Sequence, residues 1–414
     1  NPGRMRIFKK TSGNGGVCIL LGFFVSDPLP GKERLYGVVK VDTTDFGDRK
    51  AFVQMACAFR YGSDDLDVMG LCFRKDIWIQ QIQIYPESSK PELSAMHDTL
   101  LKKAGDNSYP FSFEIPTNLP CSVSLQPGPD DKGKACGVDF EVKTYLAKEK
   151  NNPDEKIDKK DTARLVVRKI QYAPSQVGAG PKADVCKSFM MSDKPVHLEA
   201  SMEKDLYFHG EDIPIKIKIN NESNKTVKKI KITVDQTTDI VLYSADKYTK
   251  TVLNQEFGET VDAASTADIC LTIKPALSEN KEKRGLALDG RLKDEDTNLA
   301  STTMIRPGVE KEVLGILVSY KIKINLMVAG GGLLGGLTAS DVTVELPLNL
   351  MHPKPEQAPK REQRRKQKGV AQKEKEEESQ CCPEKAMDKK KLLFIKKRQT
   401  FSPLAFLLLQ SLCS

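Results

Sequence analysis

The chain has little of what metal sites, disulfide scaffolds and membrane spans are made from. Its 414 residues include four histidines and one tryptophan. Ten cysteines are scattered singly, apart from the adjacent Cys381 and Cys382, and none shows the paired spacing of zinc ligands. So few histidines give a metal little to bind, so no metal or cofactor is expected, and the thiols read as reduced, cytosolic ones. Long apolar runs are missing too. Residues 17–25 follow a charged segment and lack a small-residue cleavage site, so they read as a strand rather than a signal peptide. Residues 404–413 are interrupted by Gln410 and Ser411 and reach about half the length of a spanning helix. A cytoplasmic protein is the expectation.

A basic body is also lacking, despite a formal net charge of +8. Residues 354–414 hold 16 Lys or Arg against 8 Asp or Glu, which is the whole excess, and residues 1–353 are balanced. A nucleic-acid-binding body is therefore disfavoured, and only local basic patches remain to be placed. Catalytic constellations are equally scarce. No Ser/His/Asp or Cys/His arrangement stands out, and the paired Asp64 and Asp65 read as solvated loop charges, so no catalytic residue is assigned. The segment GPDDKGKA reproduces phosphate-loop spacing at Gly128, Gly133 and Lys134. Ala135 stands where a Mg²⁺-binding Ser or Thr is needed, and the segment joins two strands, so a polar hairpin loop is the better reading.

What is present is alternation. With 39% hydrophobic and 29% charged residues the chain can bury a sizeable core. Ile213, Ile215, Ile217 and Ile219 share one face of IPIKIKIN, and Val227, Ile230, Ile232 and Val234 recur through TVKKIKITV. The same period of two runs through VDFEVKTYL (138–146) and YKIKINLMV (320–328). These are half-buried antiparallel strands, and no alternation of strands with helices calls for a parallel sheet. One segment is helical in pattern: Leu93, Met96 and Leu100, with Leu101 beside them, follow Pro91, with Lys102 and Lys103 in the last turn and Gly105 as the cap. The fold class is all-β, two antiparallel sandwiches with one short helix in the first. The expected divisions are a first domain over 1–173, a Pro- and Gly-rich linker over 174–182, a second domain over 183–353 and a disordered basic tail over 354–414.

Within ARLVVRKIQY, alternation puts Arg168 on the face of Val166, Ile170 and Tyr172. A guanidinium on an apolar face must be paired, because an unpaired buried charge costs several kcal/mol. Asp289, Asp294, Glu295 and Asp296 of LALDGRLKDEDTNLA are available downstream, although an edge position where Arg168 reaches solvent remains open. Basic pairs recur at Lys9 and Lys10 after the first strand, at Lys102 and Lys103, and at Lys159 and Lys160. Singly each is a solvated face; gathered by the fold they form a phosphate-binding surface.

The segments FKKTS, CAFRYGSDDLDVMGL, NLPCSVSLQPGPDDKGKACGVDFEVK, RLVVRKIQYAP, KRGLALDGRLKDEDTNLAST and LGILVSYKIKINLMV resemble arrestin motifs in the same order, over residues 5 to 355. VDQTTDIVLYSADKYTKTV and GGGLLGGLTASDVTVELPL resemble the visual arrestins, the cone photoreceptor type best. The resemblance implies two β-sandwiches of seven to eight strands and a non-enzymatic protein that binds light-activated, phosphorylated opsin and blocks G-protein coupling. It places the protein in the photoreceptor cytoplasm, peripheral to receptor membranes. Arg168 falls on the family's phosphate-sensing arginine, and Asp289 and Asp296 on the carboxylates of its polar core. A buried pair loses on the order of 3 to 5 kcal/mol when one partner is removed, so such a cluster can hold an inactive arrangement until a receptor phosphate competes for the arginine. By the same resemblance Lys9 and Lys10 guide phosphates inward, with Lys102, Lys103, Lys159, Lys160 and Lys293 as lesser contacts. Asp64, Asp65, Leu66, Asp67, Val68, Met69, Gly70 and Leu71 match the finger loop that enters the receptor. Phe189, Met190, Leu333 and Leu334 match loops that touch the membrane.

Two departures bear on this expectation. In LGFFVSDPLPG, Val25 stands where the family has a polar-core aspartate and Phe24 where it has a phosphate-contacting arginine, with Asp27 as a substitute for the former. The tail lacks the acidic, apolar segment that docks on the first strand and helix in relatives; only EEES (376–379) resembles it. The tail is a variant terminus, or else tail release does not regulate this form; its basic and apolar stretches suit weak membrane-surface attraction. The alternative function is a trafficking adaptor of the non-visual kind, against which stands the missing acidic clathrin-binding box. The opsin and any self-association are left open.

Overall fold

The alternating segments fold as strands in four sheets. The computed structural model describes residues 6–23, 33–61, 73–88, 91–127, 136–189 without 151 and 153, 192, 194–242, 246–290, 297–329 without 306, and 341–354. In the first half, β1 (Arg6–Thr11), β2 (Val17–Phe23), β3 (Glu33–Val41) and β6 (Ser108–Ile115) form one antiparallel sheet in the order β1-β2-β3-β6. The second sheet contains β4 (Lys50–Tyr61), β5 (Phe73–Tyr85), β7 (Val123–Leu125) and β8 (Gly137–Ala147), with β9 (Thr162–Val167) paired to β8. Their facing sides bury Ile19, Leu21 and Val39 with Met55, Phe59 and Phe140.

The second half repeats the plan. β10 (Lys182–Lys187), β11 (Val196–Ser201), β13 (Ile213–Asn221) and β16 (Ser265–Ile273) form one sheet. β12 (Leu206–Phe208), β14 (Val227–Ile240), β15 (Asp246–Phe257), β18 (Ile316–Val328) and β19 (Val342–Met351) form the other. All four isoleucines of the IPIKIKIN run are buried in β13. The three-residue step from Val227 to Ile230 in an otherwise strict period of two is a β-bulge: the register with β18 shifts between Val227 and Lys229. One pairing departs from the antiparallel expectation, because β12 runs parallel to β19 through Leu206↔Asn349 and Phe208↔Met351. Strand β17 (Ala287–Asp289) crosses between the halves and completes the first half's sheet beside β7.

Helix α1 (Ala95–Ala104) is the one α-helix among the described residues. Ser94 caps it, accepting from the His97 backbone N–H while the His97 ring accepts from the Ser94 N–H, a capping box in which histidine takes the place of Glu. Met96 and Leu100 bury against Cys18, Leu20 and Val38, on the outer face of the first sheet. Leu93, read as part of the apolar stripe, precedes the cap and is 58% exposed.

At the start of β8 only glycine fits. Gly137 has φ of 151°, and a Cβ there would stand 2.0 Å from the Val123 carbonyl oxygen. Gly137→Ala should therefore cost about 2 kcal/mol in denaturant unfolding, by strain and by prising β7 from β8, whereas Gly258→Ala, with open space around it, should be near neutral. Thiol reactivity should follow burial in the same way. Burial drives the Cys57 thiol far above its ordinary range, while Cys186 and Cys270 are exposed. Brief alkylation at pH 8 followed by peptide mapping should modify Cys186 and Cys270 and spare Cys18 and Cys57.

Candidate functional site

Everything around Asp289 is arranged by β17, which is held from both halves at once. On one side it pairs with β7, Ala287↔Leu125 and Asp289↔Val123. On the other, Gln236 of β14, wholly buried, donates to the Ala287 carbonyl at 2.9 Å and accepts from the Ala287 N–H at 2.8 Å. The chain then doubles back, with the Asp289 N–H donating to the Asn298 carbonyl at 3.1 Å and the Ala300 N–H to the Ala287 carbonyl at 2.9 Å.

The Asp289 carboxylate is 5% exposed and richly partnered. Oδ1 accepts from the Ser301 N–H at 2.9 Å, and Oδ2 accepts from Ser301 Oγ at 3.1 Å and from His352 Nε2 at 2.5 Å. His209 Nε2 lies 3.6 Å from the same Oδ2 and 2.9 Å from Ser301 Oγ. The two imidazoles are 4.8 Å apart between centroids. Burial, and after it the neighbouring His352, lower the His209 pKa to about 4 against the pull of Asp289, so His209 is neutral at physiological pH. His352 follows β19, and its carbonyl accepts from the Ala173 N–H at 2.8 Å, which ties this segment to the stretch after β9.

Arg168 sits one residue past the end of β9, half-buried. The face it shares with Val166 is the exposed one of the two alternatives: Val166 is 50% exposed, and the buried side of β9 is that of Ala163 with Leu165 and Val167 packed beside it. Of the residues grouped with it by alternation, Tyr172 stands close enough for the Arg168 charge to act on its phenol. Arg168 Nη1 donates to the Gly290 carbonyl at 3.4 Å, next to Asp289 in sequence. Ser122 locks this juxtaposition, because its carbonyl accepts from the Gly290 N–H at 3.2 Å and its Oγ accepts from the Lys169 N–H at 2.9 Å. A Cβ on Gly290 would approach Ser122 Cβ to 2.5 Å, so the close approach requires glycine. Asp296 and Lys293 lie outside the described residues. Beside the cluster opens a cleft of about 250 Å³ lined by Tyr172, Asp289, Ser301 and Lys354 among others.

The basic pairs fall around the first sheet. Lys9 and Lys10 lie within β1, not after it, and are exposed. Register places Lys9 opposite Leu20, on the helix side, and Lys10 opposite Ile19, on the other face, so adjacent lysines point to opposite sides of an edge strand. Lys102 and Lys103 are exposed in the last turn of α1, whose buried cluster also packs against Ile7 of β1. Lys159 and Lys160 begin a 3-10 turn pinned beneath the β1–β2 connection. There the buried Asp161 pairs with Arg49 at 2.9 Å and accepts from Asn14, and the Asn14 N–H donates to the Lys160 carbonyl at 3.0 Å.

The remaining expected site residues divide as follows. Residues 64–71 lie outside the described residues, between β4 and β5, whose register closes on Tyr61↔Phe73. Met190, Leu333, Leu334, Phe24, Val25 and Lys134 are likewise outside them. Phe189 is 6% exposed, with Lys225 Nζ 5.1 Å over its ring. Sequence reasoning missed His209 and His352. They are 143 residues apart, and no spacing announces them.

Comparison with known proteins resolves the family. Residues 28–173 match the model of the arrestin (or S-antigen) N-terminal domain, and residues 192–355 that of the C-terminal domain. The chain belongs to the arrestin family. It is 56% identical over 355 residues to Arrestin-C of Homo sapiens and 57% identical to Arrestin-C of Bos taurus, in each case over 84% of this chain and 90% of the relative. Arrestin-C of Xenopus laevis is 52% identical over the same shares. Arrestins are receptor-binding regulators of G-protein-coupled receptors and not enzymes, and this arrestin is one of them. Among its described residues no helix is long and apolar enough to cross a membrane.

Proposed function

We propose that this arrestin binds a light-activated, phosphorylated opsin and blocks its coupling to G protein, ending phototransduction from the photoreceptor cytoplasm while peripheral to the membrane. The observation that carries the mechanism is the seating of β17. It is held by Gln236 on one side and β7 on the other, with Arg168 on the Gly290 carbonyl, so a ligand that takes Arg168 removes a restraint from the loop after Asp289. A receptor phosphate brings about −1.5 to −2 charges and three acceptor oxygens, which suits competition for a half-buried guanidinium. Lys9 and Lys10 project to either side of the edge strand β1, along which an extended phosphorylated segment would arrive, and Lys102, Lys103, Lys159, Lys160 and Lys293 are the lesser contacts. Asp296 joins Asp289 and Arg168 in the polar core of this reading. Asp64, Asp65, Leu66, Asp67, Val68, Met69, Gly70 and Leu71 form the finger loop, whose mixed character suits a half-apolar receptor cleft. Phe189, Met190, Leu333 and Leu334 mark the loops that touch the membrane. Requiring phosphate at the sensor and an open receptor at the finger loop makes recognition depend on two coupled conditions.

The test is cosedimentation of the full chain with opsin membranes, in light and dark, phosphorylated and not. The reading expects most protein in the light, phosphorylated pellet. Pelleting insensitive to both variables would overturn it.

A further inference from the structure

Two of the chain's four histidines converge with a buried carboxylate, and neither has a part in the function proposed above. Ligand atoms of His209, Asp289 and His352 all lie within 4.8 Å of one another. They come from three separate segments: the turn after β12, the end of β17 and the stretch after β19. Ser301 Oγ stands among them, 2.9 Å from His209 Nε2 and 3.1 Å from Asp289 Oδ2. We propose that His209 Nε2, His352 Nε2 and Asp289 Oδ2 form a binding site for a divalent transition-metal ion, Zn²⁺ in particular, with Ser301 Oγ or water in the fourth position.

The donor set is the first argument. Two imidazoles and one carboxylate are the ligand types that zinc and its neighbours prefer, and an open fourth position is common in such sites. The spacing is the second. Zinc bonded at about 2.0 to 2.2 Å with tetrahedral angles sets its ligand atoms roughly 3.3 Å apart. The distances here are 3.6 Å from His209 to Asp289 Oδ2 and 2.5 Å from His352 to the same oxygen, with all three ligand atoms within 4.8 Å of one another, so closing on an ion takes shifts of about 1 to 1.5 Å. The 2.5 Å contact is a hydrogen bond whose proton the cation would replace, each ring then carrying its proton on Nδ1. The third argument is support. The Ser301 N–H fixes Asp289 Oδ1 at 2.9 Å, the outer contact that orients a ligating carboxylate. The cleft bordered by Asp289, Ser301 and Lys354 gives an entry path. A bound ion would join the β17 turn to the segment that leaves β19.

Zn²⁺ titrated into the chelator-treated full chain should bind once per chain with a Kd of about micromolar or tighter. His209→Gln and His352→Gln should each weaken that binding by about tenfold or more. Thermal unfolding at a hundredfold excess over Kd should rise by roughly 5 °C in the wild type and not in the variants. Because the cysteines could also take zinc, Co²⁺ substitution provides the control: visible bands without thiolate charge transfer support the site, and thiolate bands that persist in both variants overturn it. No binding at about 100 µM Zn²⁺, or binding unchanged by both substitutions, likewise overturns it. If either variant fails to fold, zinc-edge X-ray absorption of the wild type decides, two imidazoles with no sulfur supporting the site and sulfur ligation refuting it. None of these readings depends on which receptor is bound.

Discussion

Asp289→Ala is expected to lower stability by about 3 kcal/mol and to raise binding to unphosphorylated, active receptor several-fold. The substitution removes the acceptor for three donors at once, the Ser301 N–H, the Ser301 hydroxyl and His352 Nε2–H. Each buried donor left without a partner costs about 1 to 3 kcal/mol, and the adjoining cleft lets water recover part of it. Urea unfolding gives the stability change, and Asp289→Asn, which keeps one acceptor oxygen and the shape, should lose less than half as much. The functional half of the expectation follows from position. Gly290, whose carbonyl accepts from Arg168, is the next residue, so loosening Asp289 loosens the arginine's hold on the loop. Pelleting with unphosphorylated, illuminated opsin membranes measures that half. A variant that loses stability yet binds bare receptor no better than wild type would separate the carboxylate from phosphate sensing.

How much of this was legible in the sequence depends on whether the information was local. Strand identity was, because a half-buried strand must alternate, and the IPIKIKIN isoleucines are all buried in β13. Even the irregular step in TVKKIKITV carried meaning, as a bulge opposite Met327. Arg168 shows where the rule fails. Its strand offers apolar residues on both faces, and among the described residues β9 pairs on one side only, with β8, so Val166 can face solvent and alternation alone could not say which face is buried. Adjacent Lys9 and Lys10 read as one basic patch, yet a period of two separates them across the sheet. The parallel β12–β19 pairing, the crossing of β17 and the meeting of His209 with His352 are products of topology. No window of sequence short enough to show a period contains both partners.

Val25→Asp is expected to sharpen discrimination between phosphorylated and bare receptor by about tenfold to a hundredfold, chiefly by lowering binding to the bare form. By its resemblance to arrestins, this chain has Val25 where relatives carry an aspartate of the polar core. The position lies outside the described residues, two beyond the end of β2, so the geometry at Arg168 supplies the physical side. There the guanidinium is half-buried, and the Gly290 carbonyl, 3.4 Å from Nη1, is one of its acceptors. A carboxylate brought to it would add a charge-assisted bond in a medium of reduced dielectric, worth about 1.5 to 3 kcal/mol, and every 1.4 kcal/mol is a factor of ten in an equilibrium. Binding of phosphorylated receptor must then break that bond, but phosphate regains the same charge at the arginine, so its affinity falls less than that of the bare form. Affinities of wild type and variant for the two receptor forms, measured at one salt concentration, give the ratio directly. An unchanged ratio would mean that Asp27 already takes the role the aspartate has in relatives, and Asp27→Asn in the wild type should then lower discrimination by a comparable factor.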